Sequence, residues 1–419
     1  MLFAQAVVGS LAAILLLLFF SPMGSVSWYL LTRPLIQPYA SLGYSLAGSV
    51  PLSAVLPIIL IAIAFTNRLW QANYIILTRH ILPIYLLLYF SSLSFLTTPS
   101  YVLSLGHCLK ICTAISLYIL VYNSIKDDRS INRLLWIYLL CAIIPMLYGY
   151  YQFVTATGHA WKGAYYAGRR VDSLLMEYNA YGEFLCIAIC AGLMLFFRGN
   201  SPRRRWLVGS FLLSLIASLV LSLNRGSWIC LLAALLAAAP LYRKTINVPL
   251  LIGLCLLVLL AASPVLYQRF MELTVATEFG TKNTLGGRIA AWQSLFPLIG
   301  EHPLIGSGIG AIEPILTRTI GAAYAPHNDY IRLIIEGGIL TFLAYIWFHL
   351  HNIVDNIFRD RYRLWQINYP LLVAIFYFAS LSFFQNIIYN VVVFPMFTGL
   401  LALGHKADAL ARQAETATK

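Results

Sequence analysis

His327 and Asn328 stand together where the longest polar stretch of the chain, about residues 267–328, meets an apolar run carrying Arg332 and Glu336. An imidazole exchanges a proton near neutral pH. Set at a membrane surface beside arginines, it points to chemistry on a phosphate-bearing lipid rather than to passage of a solute. A histidine close to a helix N-terminus and to guanidinium groups is expected to stay neutral and able to accept a proton. A helix-capping or interfacial histidine reads the same way in sequence, with Asn328 or Asp329 as the cap.

The arginines that would serve such a histidine lie in three places. Arg225 occupies the tight turn Leu223-Asn224-Arg225-Gly226-Ser227-Trp228 between two apolar runs. A charge there must reach water or an anion, and Gly226 lets a headgroup approach the backbone. Arg288 follows Gly286-Gly287 and opens an amphipathic helix in which Ile289, Trp292, Leu295, Phe296 and Ile299 share a face, ended by Glu301-His302-Pro303. Such a helix lies on a membrane surface with its N-terminus favouring anions, or is an anchor with an incidental arginine. Arg169-Arg170 is a bidentate phosphate clamp or a solvated pair. Other features carry less. Gly306-x-Gly308-x-Gly310 has no strand–helix–strand unit around it and reads as a flexible turn. Arg332 and Glu336, four apart, pair with each other, and Lys110 and Glu183 are single charges within apolar runs. No outer segment holds an Asp-x-Asp motif or a close His/carboxylate cluster, so no catalytic metal and no cofactor is expected; the arginines would take that place.

These residues must be positioned by membrane helices. Of 419 residues, 60% are hydrophobic and 10% charged, and mean hydropathy is +0.79. Continuous apolar runs of about 20 residues predict a helical bundle, not a barrel of short alternating strands. We read twelve spans, over 3–20, 50–66, 81–97, 101–122, 134–153, 179–197, 206–223, 227–242, 248–266, 329–349, 369–389 and 391–408. Residues 22–49, with three prolines, read as a loop, a surface helix or a re-entrant segment. The first run, without a cationic leader or clear cleavage site, is expected to be a retained helix.

Most of the net charge of +13 sits in one set of short loops, at Arg68, Arg79, Lys126, Arg129, Arg133, Arg198, Arg203–Arg205, Arg243, Lys244, Arg359, Arg361, Arg363 and the C-terminal end. The positive-inside rule makes those loops, and both termini, cytoplasmic. Arg33, Lys162, Arg169, Arg170, Arg225, Arg269, Lys282, Arg288 and Arg318 fall on the outer face with the two substantial segments. Chemistry there has no access to ATP or nucleotide sugars, so the donor must be an activated lipid such as a lipid diphosphate. The charge marks topology, not nucleic-acid binding. The seven cysteines (Cys108, Cys112, Cys141, Cys186, Cys190, Cys230 and Cys255) lie in apolar runs and read as small core residues rather than disulfides or zinc ligands.

At these residues the chain resembles the O-antigen ligase family, the WaaL-type members of the O-antigen ligase/polymerase superfamily. The family's His-Asn-x9-Gly-x-x-(Gly, Thr or Tyr) motif is matched by His327-Asn328, nine residues, Gly338 and Thr341. Arg225 with Gly226 and Trp228, Gly287-Arg288 with Trp292, the Glu301-x-Pro303-x-x-Gly306-x-Gly308 pattern and Asn179 match further family positions; Asn224 stands where a Ser often precedes the arginine. The likeness runs over roughly residues 150–345. It implies an all-α integral membrane protein of about twelve transmembrane helices, a GT-C-type glycosyltransferase of the bacterial inner membrane with its site facing the periplasm. The chain would divide into N-terminal helices (1–153), a periplasmic loop (154–178), central helices (179–266), a large periplasmic catalytic loop (267–328) containing the amphipathic helix, C-terminal helices (329–408) and a cytoplasmic tail (409–419). The implied reaction is metal-independent, inverting transfer of O-antigen from undecaprenyl diphosphate to a sugar hydroxyl of lipid A–core. His327, Arg288 and Arg225 would be catalytic, and Arg170, Arg169, Asn328, Trp292 and Asn179 substrate-binding. The rival readings are a polymerase or a protein O-glycosyltransferase of the same superfamily, and, from another class, a transporter or flippase.

Overall fold

The computed structural model describes residues 21–41, 45–46, 50–71, 74–162, 167–261, 267, 285–320, 326–358 and 364–418. The predicted span over 3–20 lies outside them, and that over 248–266 partly so.

The helices in chain order are α1 (Pro22–Ser41), α2 (Leu52–Trp70), α3 (Leu82–Leu93), α4 (Tyr101–Ser124), α5 (Asp128–Thr155), α6 (Tyr178–Phe197), α7 (Pro202–Leu221) and α8 (Arg225–Ala238). They continue with α9 (Val248–Ala261), α10 (Leu285–Leu295), α11 (Leu298–Glu301), α12 (Ile312–Ile320), α13 (Asp329–Glu336), α14 (Gly338–Phe358), α15 (Trp365–Leu381) and α16 (Val393–Thr418). Polar caps start the long ones: Ser100 before α4, an Asp127/Ser130 capping box before α5, Ser201 with Pro202 before α7 and Asn224 before α8. Among the described residues five segments, α4, α5, α6, α7 and Arg225–Tyr242, are long and apolar enough to cross a membrane, as expected of a multi-pass membrane protein.

α6 is the most enclosed, packed by α5, α7 and α15, with the small side chains of Cys186 and Cys190 fully buried in it. The six described cysteines are free thiols, in line with their reading as packing residues. α16 packs along α4, α15 along α8, and α14 along α3. Loops assigned to one membrane face in sequence do meet: Arg198 pairs with Asp128, and Arg79 with Asp355 at 3.3 Å.

Several expected boundaries change for local reasons. The ambiguous segment after residue 22 is a helix packed on α2, α4 and α5. The outer loop 154–178 carries a hairpin, His159–Lys162 paired antiparallel with Ala167–Arg170. The amphipathic helix stops at Leu295 and resumes at Leu298, because Pro297 cannot continue the ladder. Its Leu295 is buried with Ile312, Leu316 and Ile335, whereas Ile289 and Phe296 face outward. The span expected over 329–349 is two helices, broken at Gly337-Gly338, where Gly338 has φ +72°. The span expected over 369–389 ends at Leu381, and residues 382–392 form an irregular segment. Asp329 accounts for that: its Oδ2 accepts the backbone N–H groups of Ile387 and Ile388 at 3.0 and 3.1 Å.

The Gly306–Gly310 turn is not flexible. Its three glycines have φ of +75°, +107° and +83°. Ser307 and Gly308 donate their N–H groups to the carbonyls of Ile335 and Glu336 at 2.8 and 2.9 Å, and Ile339 donates to Pro303 at 2.9 Å. The turn thus caps α13, whose last carbonyls would otherwise lack donors. A Cβ on Gly308 would stand 2.4 Å from the Thr98 Cα. Gly308→Ala is therefore expected to cost about 2–5 kcal/mol through strain and overpacking. Gly253→Ala, with nothing within 4 Å, should be neutral or stabilising. Thermal unfolding in detergent checks both, and equal midpoints would refute the packed-turn account.

Candidate functional site

His327 borders a cavity of about 460 Å³. Its backbone has φ +48°, a left-handed conformation that a non-glycine residue holds at a cost of roughly 1–3 kcal/mol. The next residue, Asn328, caps α13 by accepting from Ile331 N at 3.0 Å. The turn into α13 is thus what aims the histidine. Two side chains one turn apart on α10 hold its surroundings. Trp292 Nε1 donates to the Pro326 carbonyl at 2.7 Å, and Arg288 Nη1 donates to the Phe384 carbonyl at 2.9 Å. Gln385, next to Phe384, hydrogen-bonds the imidazole. Burial, then the positive charges of Arg288 and Arg332, push the His327 pKa down to about 4 against that hydrogen bond. The ring is therefore a neutral acceptor throughout the physiological range.

Three basic side chains line the cavity with it: Arg33 from α1, Lys110 from α4 and Arg332 from α13. Arg332 is fixed by neighbours, with Nε 3.1 Å from Glu336 Oε2, Nη2 3.3 Å from Glu313 Oε1 and Nη2 3.2 Å from His107 Nε2. A guanidinium only donates, so Nε2 of His107 is the acceptor, and its Nδ1 faces Lys110 Nζ at 3.2 Å. Arg33 differs. It is 2% exposed, and its guanidinium has the Tyr29 hydroxyl, one turn earlier, as its hydrogen-bonding neighbour, with no carboxylate paired to it among the described residues. The Gln37 Oε1, one turn later on the same face, is without a partner among the described residues. A buried guanidinium without a counter-charge is costly, and an anion in the cavity would relieve that cost. Glu177, Glu183 and Glu313 form the acidic part of the wall. Burial pushes the Glu177 carboxyl up, opposed by a hydrogen bond from Asn179.

The residues expected to carry the chemistry distribute as follows. His327 reaches the cavity wall; Arg288 and Trp292 sit immediately behind it as positioning groups. Asn328 spends its carboxamide oxygen on the helix cap, and Asn179 bonds to Glu177 at the rim. Arg225 begins α8, and the neighbouring Gly226 approaches Gln385, its would-be Cβ 4.0 Å from Nε2. Arg170 is buried, its guanidinium stacked 4.4 Å over the Tyr178 ring, so it is not a solvated charge. Arg169 donates to the Gly158 carbonyl at 3.0 Å. The described cavity wall contains none of Arg225, Arg288, Arg169 and Arg170; its basic groups are Arg33, Lys110 and Arg332.

Sequence reasoning missed Arg33, Gln385, Asn386 and Asn390, which also line the cavity. Their signal was polarity inside apolar sequence. It was obscured at Arg33 by the flanking prolines, and at 385–390 by reading a helix through residues that are not helical.

The two glycine motifs explain each other here. Pro303 to Gly308 dock on the end of α13 and the start of α14, while Thr341 Oγ1 donates to the Gly337 carbonyl at 2.6 Å. Residues 210–346 match the family model described as O-antigen ligase. That segment contains Arg225, Arg288, the docked glycine turn, His327 and Arg332, but not Asn179, Arg169 or Arg170. No curated protein matches the chain. The helical membrane bundle and the His327 motif beside the cavity thus go with a segment, residues 210–346, that is similar to the O-antigen ligase family.

Proposed function

We propose that the protein is an O-antigen ligase that transfers polysaccharide from undecaprenyl diphosphate to a sugar hydroxyl of lipid A–core at the periplasmic face of the inner membrane. The observation carrying this reading is a neutral His327 facing a cavity with three basic side chains, one of which, Arg33, has no carboxylate partner among the described residues. The diphosphate of the donor occupies the basic wall, with Arg33 and Arg332 as its main partners and Lys110 beside them. His327 takes the proton of the acceptor hydroxyl as that oxygen attacks the anomeric carbon. The bond from that carbon to the diphosphate oxygen breaks, and the charge developing on the leaving group meets cations already in place. Arg288 and Trp292 hold the histidine in position, and Arg225 supports the Gln385 side. Attack opposite the leaving group inverts the anomeric centre.

A base with a pKa of about 4 is weak in the free enzyme, and the donor offsets the smaller, charge-based part of this, burial being the larger. Its negative charge cancels the repulsion from Arg288 and Arg332 and so raises the His327 pKa. The expected pH profiles differ accordingly. kcat/KM reports the free enzyme, so it stays level as pH falls through 6.5 and declines only towards about 4. kcat reports the complex, and its acid limb lies at higher pH. Coincident limbs near 6.5 would mean that His327 is an ordinary solvated histidine.

The test of function is transfer by the purified protein supplied with undecaprenyl-diphosphate glycan and lipid A–core, in the presence of a chelator. Glycan-capped lipid A–core is the expected product. Longer carrier-linked glycan would make the protein a polymerase, glycosylated protein a protein O-glycosyltransferase, and translocation without covalent product a transporter.

A further inference from the structure

A second cluster of ligating side chains lies at the opposite end of the bundle. α14 runs from Gly338, beside the His327 motif, to Asp355, seventeen residues or roughly 25 Å along the helix. There Asp355 meets His80, just before α3, and His405 of α16. The ligand atoms of these three residues lie within 4.8 Å of one another. Asp355 Oδ2 is 3.5 Å from His80 Nδ1 and 4.0 Å from His405 Nε2.

Both separations are too long for good hydrogen bonds. The shorter is close to the spacing of two ligands that share a tetrahedral ion at about 2.0–2.1 Å, which stand roughly 3.3–3.4 Å apart. The rings of His80 and His405 stack at 4.1 Å with 20° between their planes, so both imidazoles are presented to the same carboxylate oxygen. The outer contact of His405 has the form found behind a metal ligand, whereas His80 Nε2 accepts from Arg79 Nε at 3.3 Å, a bond that a metal on Nδ1 would displace. Tyr118 Oη lies 2.8 Å from His405 Nδ1, which leaves Nε2 as the atom turned to Asp355. Arg79 Nη2 binds the other carboxylate oxygen, Oδ1, at 3.3 Å. His351, one turn before Asp355 on α14, has its ring 5.6 Å from that of His80.

We propose that His80, Asp355 and His405 bind a divalent transition-metal ion of the zinc class, which ties the start of α3 to the end of α14 and the middle of α16. Two imidazole nitrogens and a carboxylate oxygen suit zinc, cobalt or nickel rather than calcium or magnesium. The site is remote from His327 and takes no part in glycosyl transfer.

The test uses the full chain, without a polyhistidine tag, stripped with chelator and titrated with Co²⁺. The expected result is one tightly bound equivalent with visible absorption bands of a low-coordinate nitrogen/oxygen site, displaced by Zn²⁺. Asp355→Asn, which keeps the side-chain shape, and His405→Ala should bind at least about tenfold more weakly while eluting as wild type on gel filtration. His302→Ala, in the exposed turn after α11, should bind normally. Absence of a bound equivalent in wild type would overturn the proposal whatever the variants do. So would undiminished binding by Asp355→Asn, or equal loss in His302→Ala.

Discussion

His327→Ala is expected to lose glycosyl transfer by about 10²–10⁴-fold, the usual contribution of a general base, while the purified protein keeps its fold. The backbone reason for intact folding is specific. Alanine is somewhat less tolerant of φ +48° than histidine, but the turn into α13 is held by Asn328 and Asp329. His327→Asn sharpens the test. Asparagine tolerates the left-handed region better than most side chains, so this variant should unfold at a higher temperature than wild type, by about 0.5–1 kcal/mol, and still be inactive. A substitution that raises stability and abolishes turnover is the signature of strain kept for function. Near-normal turnover in either variant would remove the base assignment. Unfolding of both would mean that the histidine serves the turn.

The His327 motif was legible because its spacing reflects a local constraint. The x9 interval between Asn328 and Gly338 is one short helix, capped at its start by Asn328 and broken at its end by a positive-φ glycine. Arg225 and Arg288 were legible as charges that apolar surroundings do not explain, but their partners were not. Whether an arginine lines a cavity or braces a neighbouring carbonyl depends on contacts between residues far apart in sequence. Arg288 bonds to Phe384, ninety-six positions away. The irregular segment after Leu381 was read as helix because hydropathy there is continuous. What breaks the helix is Asp329, whose carboxylate draws the N–H groups of Ile387 and Ile388 out of any helical ladder. The glycine turn was read as flexible for a related reason: composition shows that a backbone can adopt positive φ, not that three neighbours hold it there. Loops grouped on one face by their charge did meet, since Arg79–Asp355 and Arg198–Asp128 join loops that are distant in sequence.

The same substitution at two cavity arginines should have opposite consequences for stability. Arg332→Met removes the partner of Glu336, a carboxylate with no exposure, and also the donor to Glu313 and His107. Breaking a buried pair from one side costs about 3–5 kcal/mol, because the charge left behind has no compensation. The variant should express poorly or melt far below wild type, and Arg332→Met with Glu336→Gln should recover part of the loss. Arg33→Met removes a buried guanidinium that neutralises no carboxylate among the described residues, while Tyr29 keeps its bond to the Val391 carbonyl, and puts an apolar chain of similar length in its place. Nothing is orphaned, so folding should be unchanged or slightly favoured. What is lost is the contact with the incoming diphosphate, about 1.5–3 kcal/mol for hydrogen bonds to a charged group, or roughly 10–100-fold in donor kcat/KM. Thermal unfolding and donor titration separate the two cases. If Arg33→Met destabilised the fold as much as Arg332→Met, Arg33 would be a structural charge and the basic wall would owe its donor affinity to Arg332 and Lys110. If it changed neither stability nor donor kinetics, the diphosphate would bind elsewhere, and Arg225 with Arg288 would be the groups to test in its place.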